Sequence, residues 1–569
     1  MTHSHDVTTT ERSRRPENFL THPAAVVAGA RRDPSRVAVR FKRDDSWIEW
    51  TRIRLVEAVT AVAHSLSELG LQSGDRVGVF APSGVDWYIA ALGVQSAGGV
   101  VVGAYPTSAT PQIEYLFAHS GVRFVFAGTA DQARKVHAIR QSVLIEQVVV
   151  FDPSSLSADE RTDVIAWEEF SRVELRGDAA LAYLDDATKR LAPSDLCTIV
   201  YTSGTTGDPK GAMHSFETIG QVSYTVAPAL GYAESDDYLV YLPMNHTAEQ
   251  ANSLVCGSAL GWRLNFGSLE TLADDLLSIR PTVMFAVPRV IEKLRTLLTA
   301  QSEGSVGRDA LTSIGLDRMR VLLAGGAPLA ADVLSYFADF GLLIRNGYGM
   351  TEGGGICMPW ATPPRTDTVG TPLPGVEMKL ADDGEVLIRS SGLCLGYYRD
   401  EATSAEIFDE DGFLRTGDVG EWSEDGELRL IDRKKDLIIT KGGKNIAPSG
   451  IEHLLKLSPY INQAILIGSD QPYIVALFEL APEVMTTWAN ERHLDSSIEE
   501  LAASADVRAL LQQHVDEVNE QLSKPEQIKR FAILPSVLAP SDPELTPTMK
   551  IRRAAFAERY RDLIDELYT

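Results

Sequence analysis

Leu196-Cys-Thr-Ile-Val-Tyr201-Thr-Ser-Gly-Thr-Thr-Gly207-Asp-Pro-Lys-Gly211 begins as an apolar, β-branched run and breaks into glycines, hydroxyls and a cation. The first half has the texture of a strand, and the second that of a loop beyond the strand's carboxyl end. Gly204 and Gly207 let the backbone approach a ligand closely, and consecutive N–H groups there can form an anion-binding nest. Thr202, Ser203, Thr205, Thr206 and Lys210 add donors and charge. An ordinary Gly-rich turn is the bland alternative, but the density of donors around the glycines favours a phosphate cradle. Neither Gly-x4-Gly-Lys-Ser/Thr nor the dinucleotide Gly-x-Gly-x-x-Gly can be laid on these residues.

Working outward, further strand-like runs at Arg76 to Phe80, Gly99 to Ala104, Val122 to Phe126 and Val148 to Phe151 alternate with helix-like segments, one starting near Asp86. That alternation predicts an α/β fold of layered, mostly parallel sheets. The glycine loop then lies where open α/β sheets bind ligands. From Thr368 the texture turns to short strands, with Asp382-Asp-Gly384, Asp411-Gly412 and Asp425-Gly426 marking reversals of a β-rich subdomain. The charged connector Asp432-Arg-Lys-Lys-Asp436 follows, and then a small α+β region with amphipathic helices at Glu499 to Leu522 and Ala554 to Leu567. The expected layout is a tail at 1–18, a large domain at 19–432, a junction at 433–435 and a C-terminal domain at 436–569.

At 569 residues the chain exceeds what one core organises, and 44% hydrophobic residues suffice for two. Fifty-three Lys+Arg against 78 Asp+Glu leave a formal charge of −25, which argues against nucleic acid or an anionic membrane as main partner. Cys197, Cys256, Cys357 and Cys394 are scattered, without metal-ligand spacing, so buried reduced thiols in the cytoplasm are expected. The polar start, Met1 to Asn18, has no apolar signal region, and no run of about 18 apolar residues exists to span a bilayer. Peripheral membrane contact and oligomeric state stay open.

Read from Tyr201 to Ser215, the opening stretch closely resembles the AMP-binding signature of the adenylate-forming superfamily, and the resemblance, from about Pro34 to Tyr568, is closest to bacterial long-chain fatty acid–CoA ligases. The other family motifs appear in order. In Asn346-Gly-Tyr-Gly-Met-Thr-Glu352 the resemblance implies that Tyr348, beside Gly349, stacks on adenine, that Thr351 contacts the α-phosphate and that Glu352 helps hold Mg²⁺. In Arg415-Thr-Gly-Asp418 it implies that Asp418 accepts from the ribose hydroxyls, with Arg433 also reaching the ribose. Lys435 matches the hinge, Gly442, Gly443 and Lys444 part of a CoA tunnel, and Lys550 the catalytic lysine. His246, in Tyr241-Leu-Pro-Met-Asn-His246-Thr-Ala-Glu-Gln250, together with Gly326, Gly353 and Gly354, matches the acyl pocket, and Arg289 lies in a shared stretch with no assigned role. Taken alone, His246 reads as a structural histidine and Lys550 as a solvated side chain.

The implied enzyme is an ATP-dependent, AMP-forming ligase that adenylates a carboxylic acid, releases pyrophosphate and passes the acyl group to CoA after rotation of the small domain. Its implied partners are ATP, Mg²⁺, CoA and a fatty or related hydrophobic acid. Two departures fall near the expected acid site: a short segment between Lys293 and Met319, and the run Gly353-Gly-Gly355. They keep open an adenylating enzyme of specialised metabolism with a different acid or acceptor and no use of CoA, such as an amide ligase or a diazotase activating nitrite for an aryl amine. An inactive nucleotide-binding scaffold is the third reading.

Overall fold

The computed structural model describes residues 16–44, 46–202, 208–301, 307–494, 497–539, 542–545 and 551–569. Ser203, Gly204, Thr205, Thr206 and Gly207 of the glycine loop, and Lys550, lie outside the described residues.

Two seven-stranded sheets organise the large domain among these residues. In the first, the order is Ile165–Ala166, Gln147–Asp152, Val122–Thr129, Arg76–Phe80, Val100–Ala104, Leu196–Thr202, Lys210–Ser215. Its strands run parallel except the last, which returns antiparallel against Leu196–Thr202. The near-continuous Val and Ile of these strands follow from burial on both faces by crossover helices. Gly93 of helix Val85–Ser96 shows how tightly those helices pack, since a Cβ there would lie 2.4 Å from Val62 of helix Arg52–Glu68.

The second sheet runs Ile344–Asn346, Val321–Ala324, Val283–Ala286, Asp237–Val240, Arg263–Phe266, Val37–Arg43, Ser46–Thr51, parallel but for the final edge pair. The two sheets meet at their carboxyl ends. Ser83 Oγ, beyond Arg76–Phe80, donates to Leu242 O at 2.8 Å and accepts from Met244 N at 2.8 Å, beyond Asp237–Val240. A Cβ on Gly103 would stand 2.6 Å from that of Asn245, so only glycine admits this approach.

The β-rich part starts earlier than Thr368, with the pair Tyr348–Met350 and Gly354–Met358. Glu377–Leu380, Glu385–Arg389, Leu414–Trp422 and Leu428–Arg433 follow as an antiparallel sheet, and Gly384, Gly412 and Gly426 take the positive φ that its tight turns require.

The C-terminal unit is a three-stranded sheet, Ile461–Ile467, Val475–Leu480 and Arg530–Ile533. Its middle strand is buried throughout, and the period of two assigns each face a core. Ala476, Phe478 and Leu480 join the cluster under helices Pro448–Leu455 and Ala505–Asn519, whereas Val475 and Leu477 join the one under Arg553–Arg559 and Arg561–Tyr568. Each of the two long amphipathic helices expected here is broken. Ser504 adopts extended backbone between Ile498–Ala503 and Ala505–Asn519, and Tyr560, at ψ 23°, separates the last two helices. All four cysteines are free and buried, and no helix among the described residues is long and apolar enough to cross a membrane.

Candidate active site

The strand Lys210–Ser215 builds one wall of the site. Its register sets Thr202 opposite Lys210 and Thr198 opposite His214. Alternation places Lys210, Ala212 and His214 on one face. The Lys210 ammonium lies 5.3 Å from the centre of the Tyr397 ring, Ala212 packs with Tyr397 and Cys394, and His214 Nε2 lies 2.9 Å from the carbonyl oxygen of Thr351. A carbonyl only accepts, so Nε2 carries the proton. Burial pushes the pKa of His214 down to about 4, which keeps the ring neutral. The edge of the same strand binds the loop after Glu385–Arg389, through Leu395 N to Met213 O and Tyr398 N to Gly211 O, both at 2.8 Å.

That loop delivers Tyr397 to Glu352. The phenol donates to Glu352 Oε1 at 2.7 Å, and Cys394 N donates to Glu352 O at 2.7 Å, so both ends of the residue are fixed. Both side chains are buried. Burial, with the adjacent Glu352 charge second, raises the Tyr397 pKa far out of the physiological range and keeps the phenol a donor. One carboxylate oxygen is thereby engaged, and the other, Oε2, is a hard donor fit for a divalent cation. No group of three or more His, Cys, Asp or Glu able to hold a metal occurs among the described residues. A single carboxylate suits Mg²⁺ carried in on phosphates, not a metal caged by protein.

Beside this half stands a second. Tyr348 donates its hydroxyl to Asp418 Oδ2, and Arg433 Nε lies 2.7 Å from Asp418 Oδ1. Asp418 is buried, which raises its pKa, while Arg433 and Tyr348 pull it back. The two halves adjoin: Asp418 feels the Glu352 charge, and Tyr397 feels that of Arg433. Gly349 permits this crowding, because a Cβ there would lie 2.6 Å from the Gly354 carbonyl oxygen across the hairpin.

The remaining expected residues are more dispersed. Thr202 is half-buried, its hydroxyl 3.5 Å from Lys210 O. Gly326 is exposed just beyond Val321–Ala324, Gly353 is buried against Ile388, and Gly354 is half-buried with positive φ. His246 is exposed and caps the short helix Thr247–Glu249 by accepting from Ala248 N at 3.2 Å. Lys435 is exposed within the connector, Gly442, Gly443 and Lys444 are exposed beyond it, and Arg289 is exposed at the start of helix Pro288–Gln301.

Asp432, just before that junction, accepts from Ser449 N and Ser449 Oγ, both at 2.8 Å. It therefore caps helix Pro448–Leu455 from across the connector. Tyr397 and His214 escaped the sequence reading. His214 lies within the quoted AMP-binding stretch and Tyr397 outside every quoted motif; their partners are 137 and 45 residues away, and only the period-2 alternation of Lys210, Ala212 and His214 hinted at a shared face.

A profile of the AMP-binding enzyme family matches residues 26–398, and one of the AMP-binding enzyme C-terminal domain matches residues 435–569. The chain is 30% identical to the long-chain-fatty-acid–CoA ligase FadD15 of Mycobacterium tuberculosis, with 96% of each chain covered. Among solved structures, the anthranilate CoA ligase AuaEII in complex with anthranoyl-AMP superposes with a TM-score of 0.76 at 20% identity, covering 98% of this chain and all of that one. The A domain of a carboxylic acid reductase from Segniliparus rugosus, in complex with AMP and a co-purified carboxylic acid, gives 0.75 at 19% identity over 97% and 94%. At such identities the last two are likenesses of fold.

Proposed function

The chain belongs to the AMP-binding enzyme family of adenylate-forming enzymes, and from that premise we propose an ATP-dependent, AMP-forming ligase that activates a hydrophobic carboxylic acid and transfers it to CoA. The observation that carries the reading is the adjacency of Tyr348, Asp418 and Arg433 to Glu352, Tyr397 and Lys210. One half suits a nucleoside and the other its phosphates.

Asp418, an acceptor, takes the ribose hydroxyls, with Arg433 alongside. The Tyr348 hydroxyl is already engaged on Asp418, which leaves the ring face for the base. Lys210 and the glycine loop hold the distal phosphates, and the Thr351 hydroxyl donates toward the α-phosphate. Mg²⁺, held by Glu352 when bound, neutralises charge on the phosphate oxygens. The acid's carboxylate oxygen attacks the α-phosphorus, the bond to pyrophosphate breaks in line, and Lys550 steadies the charge that develops. In the second half-reaction the CoA thiol attacks the acyl carbon and AMP leaves, with Gly442 and Gly443 turned toward the thiol. The FadD15 relative, named for long-chain fatty acids, supports a hydrophobic acid.

Pyrophosphate release across a panel of carboxylic acids tests the first half-reaction, with Lys550→Ala as control. Product mass with and without CoA tests the second. Acid-dependent pyrophosphate with no CoA thioester would move the reading to another acceptor, and no pyrophosphate with any acid would sink it.

A further inference from the structure

The segment that follows strand Asp237–Val240 is polar on the inside: Asn245, Thr247, Glu249, Gln250, Asn252 and Ser253 are all buried. Three of the six make hydrogen bonds, although Glu249 Oε1 has no partner among the described residues. Asn252 Nδ2 donates to Ala248 O at 2.8 Å, Ser253 Oγ to Glu249 O at 2.7 Å, and Tyr238 to Glu249 Oε2 at 3.3 Å. Gln250 is unmet at every polar atom of its side chain. Its side chain is 1% exposed, and neither the amide oxygen nor the amide nitrogen has a partner among the described residues. The hydroxyl of Thr247 is likewise buried and without one. A buried primary amide unmet at both ends is strongly disfavoured unless something pairs with it in use. Gln250 also opens a π-helical stretch, Gln250–Gly257, a rare geometry that is frequent at functional sites.

The place of this segment in the fold says what that partner is. Asn245 is pressed against Gly103 where the two sheets meet, directly ahead of Thr247 and Gln250. Helix Phe216–Ala229 packs on the π-helical stretch and also on strand Gly354–Met358, which leads straight out of Thr351 and Glu352. On the acid-activating reading, one helix thus joins the segment of Gln250 to the strand that follows Thr351 and Glu352, and the acid's body is placed along it.

We propose that Gln250, with Thr247, reads a neutral hydrogen-bonding substituent on the acid, so that the substrate class is a hydrophobic acid bearing a hydroxyl or amide along its body, not an unbroken hydrocarbon chain. The Gln250 amide offers two donors and an acceptor, which matches a hydroxyl in either direction. Burial also pushes neighbouring Glu249 up to about 8, so it is uncharged at neutral pH and supplies no counter-charge for an ammonium group. The proposal rests on the acid-activating reading given above.

The test uses the full chain and pairs of acids that differ only by a hydroxyl in place of a hydrogen, followed by acid-dependent pyrophosphate release. The wild-type protein is expected to favour the hydroxylated member of a pair by at least about 10-fold in kcat/KM at one position along the chain, because the unsubstituted acid leaves the amide unpaired. Gln250→Met, nearly the same in volume, is expected to abolish or invert that ranking and leave the KM for ATP unchanged. A wild-type preference for the unsubstituted member of every pair overturns the proposal while the ligase reading stands; so does an unaltered ranking in Gln250→Met. The wild-type ranking decides even where that variant fails to fold. Absence of pyrophosphate with every acid overturns the proposal and the ligase reading together.

Discussion

The phenol of Tyr397 donates to Oε1 of Glu352 across 2.7 Å, and so orients a carboxylate that sits 45 residues away in sequence. A hydrogen bond to a charged group contributes about 1.5–3 kcal/mol. Tyr397→Phe keeps the ring over which Lys210 lies and removes only the donor. Adenylation should slow by about 10- to 100-fold on that energy scale with the KM for the acid little changed. Acid-dependent pyrophosphate release measures it, and a wild-type rate in Tyr397→Phe would remove Glu352 orientation from the list of what the tyrosine does.

Tyr348 offers a way to separate ring from hydroxyl. If the face carries adenine, Tyr348→Phe should raise the KM for ATP by no more than a few-fold, whereas Tyr348→Ala should raise it by about 10-fold or more, from stacking worth about 1–3 kcal/mol. Equal effects from both substitutions would assign the residue to holding Asp418. Asp418→Asn, which trades an acceptor for a donor, should raise the KM for ATP and leave that for the acid alone.

Acid should unfold this protein early, and two histidines say where. His22 and His214 are both fully buried, with pKa values pushed down to about 4 by burial. The unfolded chain takes up a proton near pH 6.5, before the folded one does, so these residues cost no stability above that point. As pH falls from about 6.5 toward 4 the unfolded state is increasingly favoured, by an amount on the order of 3 kcal/mol per residue at most. His214→Gln, which can still donate to the Thr351 carbonyl, should flatten the fall in Tm over that interval. Parallel Tm curves for the variant and the wild type would show that His214 titrates normally.

The contact between the sheets is testable at Gly103. A Cβ there meets Asn245 Cβ at 2.6 Å and its Cα at 2.9 Å, so backbone has to move. Gly103→Ala should cost about 1–3 kcal/mol of stability, as overpacking does. Activity should fall further than the Tm implies, since the displaced segment runs on to Thr247 and Gln250. An unchanged Tm would mean that the sheets are not in close contact here.

The fold was legible wherever the signal is local. Val, Ile and Gly punctuation in Arg76 to Phe80 or Leu196 to Tyr201 marks strands, and Asp-Gly pairs at 383–384 and 425–426 mark turns. Ser504 and Tyr560 broke helices that the pattern ran together, because a polar or aromatic residue at a joint resembles one on a helix surface. In the candidate site, Glu352, Asp418 and Arg433 sit in short motifs that the family resemblance picks out. Tyr397, His214 and Gln250 could not, since the role of each depends on what a distant segment brings, or fails to bring, within reach.

Strand Lys210–Ser215 also sets a limit on how this enzyme can vary. Its residues alternate between two faces, and the face toward the candidate site carries Lys210 for Tyr397 and His214 for Thr351. Slipping the strand by one position against Leu196–Thr202 would turn both side chains away and present Gly211 and Met213 in their place. A slip of register, more than the exchange of any one side chain, is therefore what would unseat the cation and the histidine at once.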